Sequence, residues 1–302
     1  MINRGMFLYP DSYDLIDLSN GQAPISIPRL TELLAAGCHK VAFSFDTLIE
    51  VSAPLMTSSD PLEVRGALNR LEELPHVFVN EARIREMELR EALAAFQEGR
   101  EFDIDAIRPF AGRIDQAIDV RGYPQYVVQA IGALRVRVDT GMIVNLRIWD
   151  AIYEVWRVEP EAFNVYRRRE RDWMALMEAD RALERPPRFS DHFATVLAKD
   201  LATHGIPEPA DIESFGRWVY KSPARCPGIR LAYEAHHRFR ANVADRPQAS
   251  DIIDLGRVAA IPYVDFFVTD GSMLDYCRQA SRGLGDRYSG LFGRFSDALA
   301  RL

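Results

Sequence analysis

The spacing of apolar positions changes along the chain, and each change marks an element. Met6 to Tyr9 is a short apolar run closed by Pro10, with Asp11 directly behind it. The next stretch, SYDLIDLSNG, spaces Leu15, Ile16 and Leu18 as a short helix does and stops at Asn20-Gly21. Ser26 to Gly37 predicts a second helix, with Leu30, Leu33 and Leu34 on one face and Gly37 as its C-terminal signal. His39 to Phe43 predicts a second strand, which runs into a helix over DTLIEVSAPL that carries Glu50. Strand and helix alternating at this pace imply parallel pairing with right-handed crossovers. Two such strands end on one rim, so Asp11 and the Glu50 helix are expected to meet there.

The pattern recurs near the other end. Ser250 precedes an apolar-periodic run, a helix-start signal, with Asp251 and Asp254 in its opening turns. Val258, Ala259 and Ile261 continue an apolar face until Pro262, which is expected to break the helix. Val264 to Val268 then reads as a buried strand, with Asp270 just past its end. Between the two ends, His76 to Val79 is strand-like and a long charged helix follows as far as Gly99. Asp103 to Val120, Tyr123 to Val138 and Met142 to Val158 carry helical spacing, the last with Trp149 and Trp156 as packing residues. Pro186-Pro187 and Pro207 to Pro209 mark loops.

Composition changes this picture little. The chain has 302 residues, is 48% hydrophobic and 27% charged, and carries a net charge of −7. That is an ordinary globular make-up without the basic excess of a typical nucleic-acid-binding domain. Local patches can still be basic. Cys38, Cys226 and Cys277 are scattered and odd in number, which suggests neither a zinc site nor a disulfide framework and fits a reducing cytoplasm. No apolar segment approaches membrane-spanning length, and no signal-peptide core is visible.

The acids carry the chemistry. Ser250 to Asp270 holds Asp251, Asp254, Asp265 and Asp270 in an otherwise apolar stretch. Unpaired carboxylates repel one another unless a cation neutralises them, and hard ions such as Mg²⁺ and Mn²⁺ prefer oxygen ligands. An acid leaving a strand beside acids opening a helix is a layout that α/β folds use for metals and phosphates. The stretch is therefore expected to form half of a divalent-metal site, completed by Asp11 and Glu50. Asp14, one turn from Asp11, is a candidate assistant.

These segments resemble the PIN domain family of metal-dependent nucleases. The matching residues are Asp11 in FLYPDSYDLIDLS, Glu50 in VAFSFDTLIEVSAPL, and Asp254 and Asp270 in SDIIDLGRVAAIPYVDFFVTD. The block with Pro262, Tyr263 and Asp265, ending Val268-Thr269-Asp270, looks like the larger PIN-like proteins. The resemblance implies an α/β, Rossmann-like parallel sheet flanked by helices, built from residues 1–100 and 250–302, with 101–249 as a helical insertion. It implies hydrolysis of RNA at one or two Mg²⁺ or Mn²⁺ ions. Asp11, Glu50, Asp254 and Asp270 would be the principal catalytic and metal-binding residues, with Asp251 and Asp265 as auxiliaries. Asp254 is favoured over Asp251 as the helix ligand, because its distance to Thr269 is closer to the family spacing. A protein regulator of the antitoxin kind is also implied. Small members often carry a polar Asn or Ser soon after the first Asp; here Ser12 and Tyr13 follow.

Basic residues suggest where a polyanion would lie. Arg225, Arg230, His237, Arg238 and Arg240 lead directly into the acidic block and are expected to hold substrate near it, with His236 beside them. A second run, Arg167 to Arg171 between Tyr166 and Trp173, is either a phosphate contact or a solvated helix face. Two other functions remain open. One is a PIN-fold module that binds RNA or protein without cutting. The other is a haloacid-dehalogenase-like phosphatase, which Ser44 after the second strand suggests; but Tyr13 stands where that family needs a second Asp.

Overall fold

The computed structural model describes residues 5–48, 50–51, 61–117, 129, 171–175, 177–178, 189–242, 244 and 246–302. Apart from residue 129, the helices expected over Tyr123 to Val138 and Met142 to Val158 lie outside the described residues, as do Arg167 to Arg169 and Pro186-Pro187.

Among the described residues, six strands form one mixed sheet: β1 (Phe7–Tyr9), β2 (Lys40–Ser44), β3 (His76–Val79), β4 (Phe110–Ala111), β5 (Phe266–Val268) and β6 (Phe292–Gly293). Their order is β4-β3-β2-β1-β5-β6. All neighbours pair in parallel except β4, which runs antiparallel to β3. The fold is thus α/β, with a mostly parallel sheet flanked by helices. The order of succession reverses at β1: the chain builds outward through β2 and β3, then returns to the other side of β1 with β5 and β6. In open α/β sheets the crevice beyond the strand ends at such a reversal is where ligands bind.

Side-chain alternation explains the layers. Leu8, Val41, Phe43, Phe78, Phe266 and Val268 point to one face and pack there with α1 (Ser12–Ser19) and α2 (Ile27–Ala36). Tyr9, Ala42, Val77, Val79 and Phe267 point to the other. Successive strand residues face opposite ways, so short strands with apolar residues at every position can be buried on both sides. Residues 45–48 and 50–51 are helical (α3) and follow β2 without a loop; α4 (Pro61–Leu71) then leads to β3. α5 (Glu81–Glu98) starts at Asn80, whose side chain accepts from the Arg83 amide at 2.9 Å, and ends at Gly99 with φ 67°.

The second face is covered by the C-terminal half. α6 (Phe189–Thr203) and α7 (Ile212–Tyr220) form a satellite core with α5. α8 (Pro227–Ala241) packs on α5, on α9 (Ala249–Arg257) and on α10 (Gly271–Gly283). Both β4 and α8 come from the stretch read as an insertion; one extends the sheet and the other packs over it. No helix among the described residues is long and apolar enough to cross a membrane.

Two local expectations need correction. Asp103 to Val120 is not a helix where it is described: two 3₁₀ turns, Ile104–Ala106 and Ile114–Gln116, flank β4. Pro109 keeps the residue before it out of the α region, and Gly112 weakens helix on the other side. Pro262 does not break the helical path either. α9 tightens into a 3₁₀ segment, Val258–Tyr263, that contains Pro262. The change to i→i+3 bonding shortens the ladder that a proline, lacking its N–H, would interrupt.

Candidate functional site

The acids expected from both ends of the chain meet at the C-terminal rim of the sheet, on either side of the reversal. Asp11 follows β1 by two residues, is buried, and is the N-cap residue of α1. Asp270 follows β5 by two residues, is exposed, and caps α10 by accepting from the Met273 amide at 3.1 Å. A carboxylate at a helix N-terminus faces unpaired N–H groups and the positive end of the dipole. Ser12 Oγ donates to Asp11 Oδ1 at 3.2 Å, and Ser272 Oγ to Asp270 Oδ1 at 3.3 Å.

Asp254 ties the group together. It lies on α9, largely buried, and its pKa is pushed up to about 7. Burial is the main cause; Arg257 opposes it, while Asp11, Glu50 and Asp270 each add repulsion. Asp254 therefore feels three other carboxylates, each from a different element, at this rim. Asp14 belongs to its edge: burial first, then Asp11 and Asp17, push it up to about 6.

Arg257 is the residue that sequence reasoning missed. Its side chain is fully buried, and Nη1 donates to Asp11 Oδ1 at 3.2 Å and to Asp254 Oδ1 at 3.3 Å. Nη2 donates to the Pro10 carbonyl at 2.6 Å. The guanidinium lies over the Tyr9 ring at 4.7 Å and the Phe267 ring at 5.3 Å. Burial alone would lower its pKa, but Tyr9, Asp11, Asp254 and Glu50 outweigh burial and hold it well above its usual value. Tyr9 in turn donates to Glu81 at the start of α5. The signal was present: Arg257 follows Asp254 by one helical turn and is the one charge in an apolar run, LGRVAAIP.

The two expected auxiliaries both bond to backbone amides, and one of them lies on the opposite rim. Asp251 sits at the third position of α9, where its Oδ2 accepts from the Gln248 amide at 2.6 Å in a capping box. Asp265 is exposed before the first residue of β5 and exchanges bonds with Phe7: its Oδ2 accepts from the Phe7 amide at 2.7 Å. Phe7 opens β1 and Asp11 lies beyond its end, so Asp265 is on the opposite rim, on the order of 10 Å away. It cannot share an ion with Asp11.

The basic residues also divide. Arg230 is buried, donates to the Tyr220 carbonyl at 2.7 Å, and stacks on Tyr220 at 4.2 Å; it is a structural residue, not a substrate contact. Arg225 is tied to the Trp218 carbonyl at 2.8 Å and to Glu101 at 3.1 Å. Arg238 is exposed, with Glu234 at 4.0 Å. His237 and Arg240 line a cavity of ≈ 610 Å³ beyond α9. Ser44 is fully buried and shares a hydrogen bond with Thr47 at 2.8 Å.

Among the described residues, no three His, Cys, Asp or Glu side chains stand at spacing ready to hold a metal ion. Arg257 occupies the position between Asp11 and Asp254. No protein-family model matches the chain, nor does any curated protein or any solved structure.

Proposed function

We propose that the chain is a PIN-like, metal-dependent phosphodiesterase that cuts RNA. The observation that carries this reading is the mutual repulsion of Asp254 with Asp11, Glu50 and Asp270 at the sheet reversal. It also tests whether a metal suits the residues. An acid pushed up to about 7 by burial first, and further by three like charges, is one that a divalent cation would return to its ionised form. All four donors are carboxylate oxygens, the set that Mg²⁺ and Mn²⁺ prefer. Asp11, Glu50, Asp254 and Asp270 would hold the ion, which when bound supplies an acidified water and a counter-charge for the leaving oxygen. Arg257 keeps Asp11 and Asp254 oriented. Exposed Asp270 leaves the rim open to a strand of nucleic acid.

The test is cleavage of single- and double-stranded RNA and DNA with Mg²⁺ or Mn²⁺. RNA should be cut by the wild-type chain and not by Asp11→Asn or Asp270→Asn. An Asp11→Asn chain as active as wild type removes the assignment.

One observation favours a second reading, a binding module that does not cut. Arg257 already gives Asp11 and Asp254 the counter-charge that a metal would provide. In that reading Mn²⁺ leaves the unfolding temperature unchanged and no substrate is cleaved.

A further inference from the structure

α9 has two different sides. Asp254 and Arg257, one turn apart, face the acidic centre, while Ile252, Leu255 and Gly256 line the ≈ 610 Å³ cavity. The helix is a partition about 10 Å thick between a negative rim and this second space.

The cavity has the opposite charge. Among the described residues that line it, Arg85, Lys199 and Arg240 are cations and Asp200 is the one carboxylate, in a chain whose overall charge is −7. His192, His236 and His237 add further N–H donors. Burial, then Arg240 and Arg238, lower the pKa of His237, as a positive surround requires. Apart from Thr195 and Tyr233, the other described lining residues are mostly apolar, with Trp173 stacked on Phe239 at 5.9 Å and with Met177, Ile252 and Leu255 beside it. The volume suits a small molecule.

We propose that this cavity binds a phosphomonoester carried on a planar ring, the chemistry of a mononucleotide. A phosphomonoester has close to two negative charges at neutral pH, which suits a lining whose described residues are richer in cations than in acids. Guanidinium forks bond its oxygens in pairs, and a lysine adds a point charge. The ring would lie against the Trp173, Ile252 and Leu255 side. The source is either a free nucleotide or the phosphorylated end of a strand.

Calorimetric titration of the whole chain in EDTA tests this. Without divalent ion the acidic centre contributes nothing, so the result is independent of the phosphodiesterase reading. AMP should bind roughly tenfold or more tightly than adenosine or inorganic phosphate. Lys199→Ala, at an exposed position, should weaken AMP roughly tenfold at an unchanged unfolding temperature, and Arg240→Ala should weaken it by a similar factor. Gly256→Leu tests the space without touching a charge. A Cβ at Gly256 meets nothing within 4 Å, so leucine fills the cavity, raises helix propensity and should abolish binding. Asp11→Asn should bind AMP as wild type does. A 5′-phosphorylated oligonucleotide that binds more tightly than AMP names a strand end as the source, and weaker binding names the free nucleotide; both keep the site. AMP bound no more tightly than adenosine overturns the proposal. So does AMP binding that survives both Lys199→Ala and Gly256→Leu, or is lost in Asp11→Asn.

Discussion

Glu88 and Asp254 are both largely buried acids pushed up to about 7, yet they stand in opposite situations. Glu88 on α5 is fully buried and well partnered. It accepts from the Gly228 and Ile229 amides at 2.6 and 2.8 Å and from the Tyr263 hydroxyl. Those amides open α8, so one side chain caps a neighbouring helix and ties α5, α8 and the 3₁₀ segment together. Burial dominates its pKa, and every hydrogen-bond partner works against the rise. Asp254 shares a single guanidinium with Asp11 and is repelled by three other acids. A buried carboxylate with donors of its own fixes a fold. Carboxylates that compete for one cation hold charge that a ligand can relieve.

The comparison breaks most sharply on substitution. Glu88→Ala leaves two amides and a hydroxyl without an acceptor in a dry interior, where it should cost about 3–5 kcal/mol. Chemical denaturation measures it. Glu88→Gln restores one acceptor and should lose less. A Glu88→Ala chain as stable as wild type would mean that the tie holds nothing.

At the acidic centre the expected loss is in activity. Asp270→Asn should reduce metal-dependent cleavage by roughly a hundredfold or more, about 2.7 kcal/mol of transition-state stabilisation. Its unfolding temperature should stay the same or rise, because one of four repelling charges is gone. A chain that loses both cleavage and fold would make Asp270 a second Glu88.

Metal addition sharpens the same contrast. Mn²⁺ at a hundred times its Kd should stabilise the wild-type chain by about 2.7 kcal/mol. It should leave the cost of Glu88→Ala untouched and should do little for Asp11→Asn. Arg257→Met bears on whether guanidinium and metal share one task. Without metal it leaves Asp11 and Asp254 unpaired and destabilises; with Mn²⁺ the loss should shrink. Absence of any Mn²⁺ effect on either chain favours the binding module.

Much of the rim was legible because the acids mark strand ends. An apolar run of three or four residues followed by Pro10-Asp11, and another followed by Thr269-Asp270, announces two parallel strands and the carboxylates beyond them. The helix after β2 carried Glu50 for the same reason. Asp265 misled because it is close in sequence to Asp270, while β5 between them carries the chain to the other rim. Asp251 is ambiguous in sequence because helix capping and metal binding ask for the same side chain at the same place. Arg230 read as a free cation in a basic run, but its partners are a carbonyl seven residues before the helix start and rings on α6 and α7. Contacts of that kind come from tertiary packing and leave no periodic trace. Glu88 was hidden among the many acids of α5, since its partners are backbone amides about 140 residues away.

The smallest expected effect separates the two acids by pH. Both have folded pKa values near 7, above the unfolded value near 4. The folded chain therefore binds more protons than the unfolded chain between those values, and each group's stabilisation is present at acidic pH and lost as pH rises towards 7. From about pH 6 to about pH 8 each should remove on the order of 1 kcal/mol. Asp254→Asn should take its share out of that slope and leave the share due to Glu88. Mn²⁺ should do the same as Asp254→Asn, because the bound ion favours the ionised acid and its affinity rises with pH. Denaturation midpoints measured across this range, with and without Mn²⁺, give the comparison directly. A slope unchanged by Asp254→Asn would place that acid with ordinary surface carboxylates and remove the electrostatic basis of the site.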